Sequence, residues 1–346
     1  MILRNKKNPI ITIKDIKPSE KDMEVIGVFN AGVTTYEDEV ILLLRIAEIY
    51  KSTDHTLHIP IADENNQFKK IIIDPKKDNY DYSDKRVIKE GKYVKYLTSI
   101  SHFRLARSKD GIHFDIDEKP TIMPQGKYES WGIEDPRITK IDDTYYITYA
   151  AISPLGVCPS LITTKNFQHY EHQGVILPPE NKDVVLFGDK IGGKYYLIHR
   201  PVPSAIGKPN MWISSSLDLK HFGNHECILS IDGTIPWQKG RLGAGAPPVK
   251  TDKGWLHIYH AADQDDRYVL SAFLTDLEEP AKIIGILDKP ILAPDETYEK
   301  EGFYPNVVFT CGLVENKDDY VIYYGAADDK IASVYINKQK LLKLFK

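Results

Sequence analysis

Apolar residues along this chain come in short runs, and five of the runs follow one plan. Each has a polar turn, a brief aliphatic or aromatic stretch, and a small or charged ending: DEVILLLRIAE (38–48), DTYYITYAAIS (143–153), GKYYLIHRPVP (193–203), KGWLHIYHAAD (253–263) and DDYVIYYGAAD (318–328). Runs of this length, rich in β-branched and aromatic residues and bounded by turn formers, predict strands. Their starts lie 105, 50, 60 and 65 residues apart. A second phrase recurs as SKDGIHFDI (108–116), TTKNFQHYEH (163–172) and SSSLDLKHFGN (214–224), where a polar turn delivers an aromatic into the next strand. Strands repeating at such intervals, with almost no amphipathic helical pattern between them, predict an all-β fold, a five-bladed β-propeller around a central funnel. A β-sandwich is the alternative, but 346 residues is long for a single sandwich.

Two stretches depart from the repeat. The wide first interval holds an inserted region, about residues 50–97, rich in Lys, Asp and Tyr. The tail INKQKLLKLFK (336–346) predicts a short basic amphipathic helix, expected to pack against a blade rather than to meet a membrane. The whole of 1–346 is therefore expected to form a single domain with one insertion and a helical tail.

Composition narrows the partners. Forty-five basic residues against 49 acidic leave a net charge of −4, so no overall field recruits nucleic acid or an anionic membrane. The N-terminal stretch lacks the apolar run of a signal peptide, and no segment approaches a membrane span. Cys158, Cys227 and Cys311 are odd in number and widely spaced, which argues against a disulfide framework or a zinc site and fits a cytoplasmic location. The 11 histidines form no HExxH pair, and no GxSxG elbow or P-loop is present, so no metal and no nucleotide cofactor is expected.

In a propeller the innermost strands line the channel, and the repeats would bring their endings together: Arg45, Tyr149, His199 with Arg200, His260 and Asp328. A core would exclude such groups, because unpaired buried charge is expensive, whereas an anion pocket would use them. Arg45, Lys182, Arg200, Arg241 and His260 are singly ordinary surface charges, but as a set they have the make-up of a phosphate clamp. WGIEDPRIT (131–139) sets Glu134 and Asp135 beside Pro136 and Arg137. One reading is a turn with a surface ion pair between Glu134 and Arg137. The other is an acid loop, in which Asp135, flanked by Trp131 and shut from water, has a raised pKa and donates a proton. Arg137 would then pair with a neighbouring carboxylate to hold the loop.

Eight phrases in order, GVFNAG (27–32), LLLRIAE (42–48), WGIEDPRIT (131–139), NKD (181–183), IHRP (198–201), GAGAPP (243–248), IYHAA (258–262) and YYGAAD (323–328), resemble glycoside hydrolase family 130, the mannoside phosphorylases and their hydrolytic relatives. The resemblance runs from about residue 8 to about residue 335. It implies a five-bladed propeller and an inverting cleavage of β-mannosides by a single acid, Asp135, with the proton passed through a hydroxyl of the mannosyl ring. It implies that Asn30 and Asp328 hold the mannose at the cleavage point. It also implies that Arg45, Lys182, Arg200 and His260 bind inorganic phosphate, the co-substrate, with Arg241 as a fifth. Tyr304 and Trp131 are candidates for a sugar platform.

An inverting hydrolase needs an acid and a base, whereas phosphate is already a nucleophile and needs cations instead. The basic set thus favours phosphorolysis, giving α-D-mannose 1-phosphate. The compact N-terminus and VIGVFNAG are closest to the branch acting on β-1,2-linked mannobiose or oligomannan. A β-1,2-mannosidase, a phosphorylase for another mannosyl linkage, a non-catalytic mannoside lectin and a scaffold for protein partners are the rivals; a homo-oligomer is compatible with the sequence.

Overall fold

The computed structural model describes residues 2–52 and 54–345. Its strands run antiparallel in units of neighbouring chain segments, because each polar turn is short enough to send the next run straight back along the last. The first unit comprises Met23–Tyr36, Glu39–Tyr50, Ile100–Ser108 and Asp115–Ile116. The second is Gly132–Ile141, Thr144–Ser153, Gly156–Thr164 and Glu171–Val175, and the third Asn181–Leu186, Tyr195–Pro201, Met211–Ser216 and Gly223–Leu229. In the fourth, Arg241–Ala244 and Val249–Thr251 both pair with Gly254–Ala262, followed by Tyr268–Thr275 and Ile283–Ile286. The fifth is Val308–Asn316, Asp319–Ala326 and Lys330–Asn337. It is completed from the other end of the chain, since Ile2–Arg4 and Ile11–Thr12 pair with Lys330–Asn337. A parallel bridge between Cys311 and Gly32 joins the fifth unit to the first.

The five repeated runs are all strands, but each is the second of its unit. The first strands pack against one another across the units, and the residues that meet there come from both kinds of strand: Asn30, Asp135, Lys182, Asp183 and Arg241 from first strands, Arg45, Arg200 and His260 from repeat strands, with Asp328 just beyond one, as their endings led us to expect. This corrects the expectation that the repeat strands are innermost. The repeat strands are mainly apolar, as buried middle strands are, and carry Arg45, Arg200 and His260 late in the strand, whereas the preceding strands are broken by polar residues at the centre.

The second phrase forms one turn used three times. Asp110 accepts from the backbone N–H of Ile112 and His113, Asn166 from Gln168 and His169, and Asp218 from Lys220 and His221. These side chains replace missing backbone partners between the third and fourth strands. The aromatic that follows packs inward: Phe114 against Tyr323 and Phe167 against Tyr145.

The inserted region is two hairpins, Leu57–Ala62 with Phe68–Ile73 and Val87–Glu90 with Tyr93–Leu97. A cavity of about 730 Å³ lies where they meet the first unit, lined largely by aliphatic groups such as Ile26, Ile49, Leu57 and Val87. The tail makes a short helix, Lys338–Leu342, capped by Asn337, and buries Leu341 and Phe345 in the core between the fourth and fifth units. No helix among the described residues is long and apolar enough to cross a membrane.

Candidate active site

Three first strands carry a β-bulge at the same depth, and each bulge presents a polar residue in the left-handed region. Asn30 (φ 48°) lies in the shift between Phe29 and Gly32, Asp135 (φ 51°) between Glu134 and Arg137, and Asp183 (φ 54°) between Lys182 and Val185. A bulge re-aims a side chain that regular pleating would send sideways, and Asn and Asp tolerate this backbone better than most residues. Asp328 (φ 54°) follows the second strand of the fifth unit. Strained polar residues converging from several elements mark a functional site.

They line one cavity, together with Arg45, Arg86, Lys182, Arg200, Arg241, His260, Tyr268, Tyr304 and Phe309. The structure therefore gathers every candidate named from sequence except Trp131, which is half-buried and does not line the cavity. Of the strand endings, Tyr149 and His199 also fall elsewhere. Tyr149 donates to Glu129 at 2.6 Å, and His199 contacts Asn181 and His225, on the opposite strand face from its neighbour Arg200.

Asp135 is 3 % exposed, and its Oδ1 accepts from Asn30 Nδ2 and Arg45 Nη1, both at 2.9 Å. Arg45 also donates to Glu134 at 2.6 Å, so it is held between adjacent carboxylates. Burial pushes the Asp135 carboxyl up, but Arg45, Lys182, Arg137 and the Asn30 bond outweigh it and hold the group below its ordinary value. This corrects the expectation of a raised pKa, which took account of burial but not of three cations. The surface pair between Glu134 and Arg137 is absent too. Arg137 is 1 % exposed and donates to Asp183 at 3.2 Å and to the Asp135 carbonyl at 3.0 Å, so it does hold the acid loop, through a carboxylate of the third unit.

Asp328 behaves oppositely. Burial pushes its carboxyl up to about 7; Arg45 and Lys182 oppose the shift, while Asp135 and Glu134 add to it. One cavity thus holds two carboxyl groups whose pKa values are pushed in opposite directions.

The basic side is built around a residue that sequence reading quoted only within NKD. Asp183 is fully buried and touches Arg137, Arg200 (3.1 Å) and His260 (3.2 Å), cations from the second and third units and an imidazole from the fourth. His260 is held down to about 4, because burial outweighs the attraction of Asp183. It is a neutral imidazole at pH 7. Arg241 pairs with Asp266 at 2.5 Å, and Tyr304 donates to the same carboxylate at 2.7 Å. The insertion contributes Arg86, whose guanidinium lies 5.1 Å from the Tyr304 ring centre. Asp183, Asp266 and Arg86 were missed; for Asp183 the available signal was a charged residue directly before the apolar run VVLF (184–187).

The fold and the site together define a class, all-β proteins with a polar pocket in which buried aspartates meet several cations. The profile described as beta-1,4-mannooligosaccharide phosphorylase, that of glycoside hydrolase family 130, matches residues 84–346. The chain belongs to that family. It is 44 % identical over 348 residues to a beta-1,2-mannobiose phosphorylase of Listeria innocua, covering 99 % of this chain and 97 % of the relative. It is also 44 % identical to a 1,2-beta-oligomannan phosphorylase of a Thermoanaerobacter species, over 70 % of this chain and 80 % of the relative. The solved structure of the Listeria innocua enzyme in complex with beta-1,2-mannobiose superposes with a TM-score of 0.95, at 43 % identity over 99 % of this chain and 98 % of that one.

Proposed function

We propose that this chain is an inverting phosphorylase of β-1,2-linked mannobiose and oligomannosides, a single-domain enzyme that uses inorganic phosphate as co-substrate and no resident cofactor. The products are α-D-mannose 1-phosphate and the shortened mannoside or mannose. The observation that carries this reading is the composition of the cavity: one hydrogen-bonded acid, Asp135, faces Lys182, Arg200, Arg241 and His260. The other deeply buried carboxylate, Asp183, is ion-paired to two guanidiniums and held well below its ordinary pKa, which makes it a weak base for activating water. The relatives named above are phosphorylases of the same linkage.

Asn30 and Asp328 hold the mannosyl ring at the cleavage point, Asp328 as a carboxyl able to donate as well as accept near pH 7. Lys182, Arg200, His260 and Arg241, with Arg45 at the boundary, hold phosphate beneath the anomeric carbon, on the face away from the leaving oxygen. A phosphate dianion there neutralises the charges that keep Asp135 ionised, so its carboxyl rises toward the range of a working acid. Asp135 then gives its proton to a hydroxyl of the mannosyl ring, which passes its own to the departing oxygen. Phosphate oxygen bonds to the anomeric carbon as the glycosidic C–O bond breaks, and the configuration inverts. Tyr304 and Arg86 flank the leaving sugar.

The five units are read as the blades of a propeller. That reading is supported by the parallel bridge from Cys311 to Gly32 and by a second opening at the far end, lined by residues from all five units, among them Val33, Ile138, Gly188, Pro248 and Leu313. The enzyme is placed in the cytoplasm, where its free Cys158, Cys227 and Cys311 would stay reduced.

Incubation with β-1,2-mannobiose, with and without phosphate, tests the activity. Mannose 1-phosphate forming only with phosphate is the expected result; equal release of free mannose in both tubes would make the chain a mannosidase.

A further inference from the structure

The phosphate side of the cavity contains an acid, which is the wrong charge to touch a dianion. Asp183 lies at the bulge of its strand, with both oxygens turned toward nitrogens of other units: Oδ1 to Arg137 Nη2, Oδ2 to Arg200 Nη1 and to the imidazole Nε2 of His260. Space is reserved for this arrangement. A Cβ on Gly243, across the pocket, would collide with both Asp183 Oδ2 and His260 Nε2, so the strand opposite must pass as glycine.

The three partners are not equivalent. Arg137 is also saturated by backbone carbonyls, those of Asp135, Ala244 and Gly245. Arg200 has only a long contact to the Leu242 carbonyl at 3.5 Å, and its Nε has no partner; neither has either ring nitrogen of His260 a well-aligned hydrogen bond. Arg200 and His260 thus keep hydrogen-bonding capacity beside the cavity, while the charge of Arg200 is balanced by Asp183 from behind.

We propose that Asp183 is a positioning residue for the attacking phosphate. It is an internal counter-ion that holds Arg200, and the His260 ring through Nε2, in place before the anion arrives, and that weakens anion binding in exchange for aim. This rests on the phosphorolytic reading above. A carboxylate behind the clamp repels the incoming dianion, so its removal leaves Arg137 and Arg200 short of a counter-ion and makes phosphate bind more tightly. The same removal frees Arg200 and the His260 ring to rotate, and misplacement by about 1 Å costs on the order of 10²-fold in rate.

The test compares Asp183→Asn and Asp183→Glu with the native enzyme, using inorganic phosphate alone as the thermal-shift probe and then steady-state kinetics. For Asp183→Asn the expected result is a larger rise in Tm with phosphate than in the native protein, a phosphate KM lower by several fold, and a kcat lower by about 10²-fold. Asp183→Glu, which keeps the charge, should hold phosphate KM near native while lowering kcat. A purely structural role would reduce folded enzyme and leave KM and the phosphate-dependent shift alone. That outcome, or an Asp183→Asn enzyme with native kcat, overturns the proposal. If Asp183→Asn does not accumulate without phosphate, its recovery in phosphate buffer supports the counter-ion role, and failure of Asp183→Glu to change kcat argues against it. Native enzyme that releases mannose without phosphate would instead refute the phosphorolytic reading, and loss of that release in Asp183→Asn would make Asp183 a water-activating base.

Discussion

Asp135 and Asp183 occupy matching places on neighbouring units. Both sit at a bulge in a first strand, both are left-handed and buried, and Arg137 reaches each of them. They differ in what surrounds the carboxylate. Asp135 has an amide and one guanidinium, and of the cations that depress it Arg45 and Lys182 line the cavity. Asp183 has two guanidiniums and an imidazole packed directly against it. Position and backbone are therefore not enough to make a carboxylate reactive. On the phosphorolytic reading proposed above, the acid is the carboxylate whose neighbouring cations a co-substrate can neutralise.

The sharpest break between the two comes from removing the acid. Asp135→Asn should keep the fold and mannoside binding and lower kcat by about 10²–10⁴-fold, since it abolishes one proton transfer and little else. Turnover near the native rate would remove Asp135 from the mechanism. Next, Arg200→Ala deletes a guanidinium that Asp183 now holds in place, and phosphate KM should rise by about 10–100-fold with mannoside KM much less affected. Unchanged phosphate dependence would put the anion elsewhere.

Asp328 gives a third contrast, read by pH. Its folded-state pKa is raised, so the native protein binds a proton there that the unfolded chain has released. That contribution favours folding relative to the ionised state at low pH and is lost as pH rises toward about 7. Asp328→Asn, a mimic of the neutral carboxyl, should raise Tm at pH 8 by about 2–4 °C and leave Tm near pH 4 unchanged. A Tm gain equal at both pH values would mean that charge is not the cause. Smallest of all, Tyr304→Phe removes only the bond to Asp266, and mannoside KM should rise by about 2–10-fold. Trp131→Ala, outside the cavity, should not move it.

Much of this was legible in the chain. Five short apolar runs announced the units, the eight phrases pointed to the family, and nine of the ten named site residues line one cavity. Trp131 misled because adjacency in WGIED was read as adjacency in space, whereas the alternation of a strand and the bulge that follows turn the two side chains apart. The bulges themselves left no sequence mark, so the ordering of strands from the centre outward was misjudged. Asp183 was hidden by its neighbour: Lys182 supplied the charge an anion pocket calls for, and nothing in NKD shows the three partners that surround the carboxylate. Arg86 lies on an insertion with no counterpart in the repeats, and periodicity is silent about such segments.

The pairing of Ile2–Arg4 and Ile11–Thr12 with Lys330–Asn337 has a consequence for how the molecule comes into being. Units two, three and four are each made from consecutive chain and can form as soon as their last strand is available. The fifth cannot, because its outer strands come from segments more than three hundred residues apart, and contacts of such separation form slowly. During synthesis the first dozen residues must wait, unpaired, until nearly the whole polypeptide has been made. The strands Ile2–Arg4 and Ile11–Thr12 thus find their place only after every unit between them and their partner has been made.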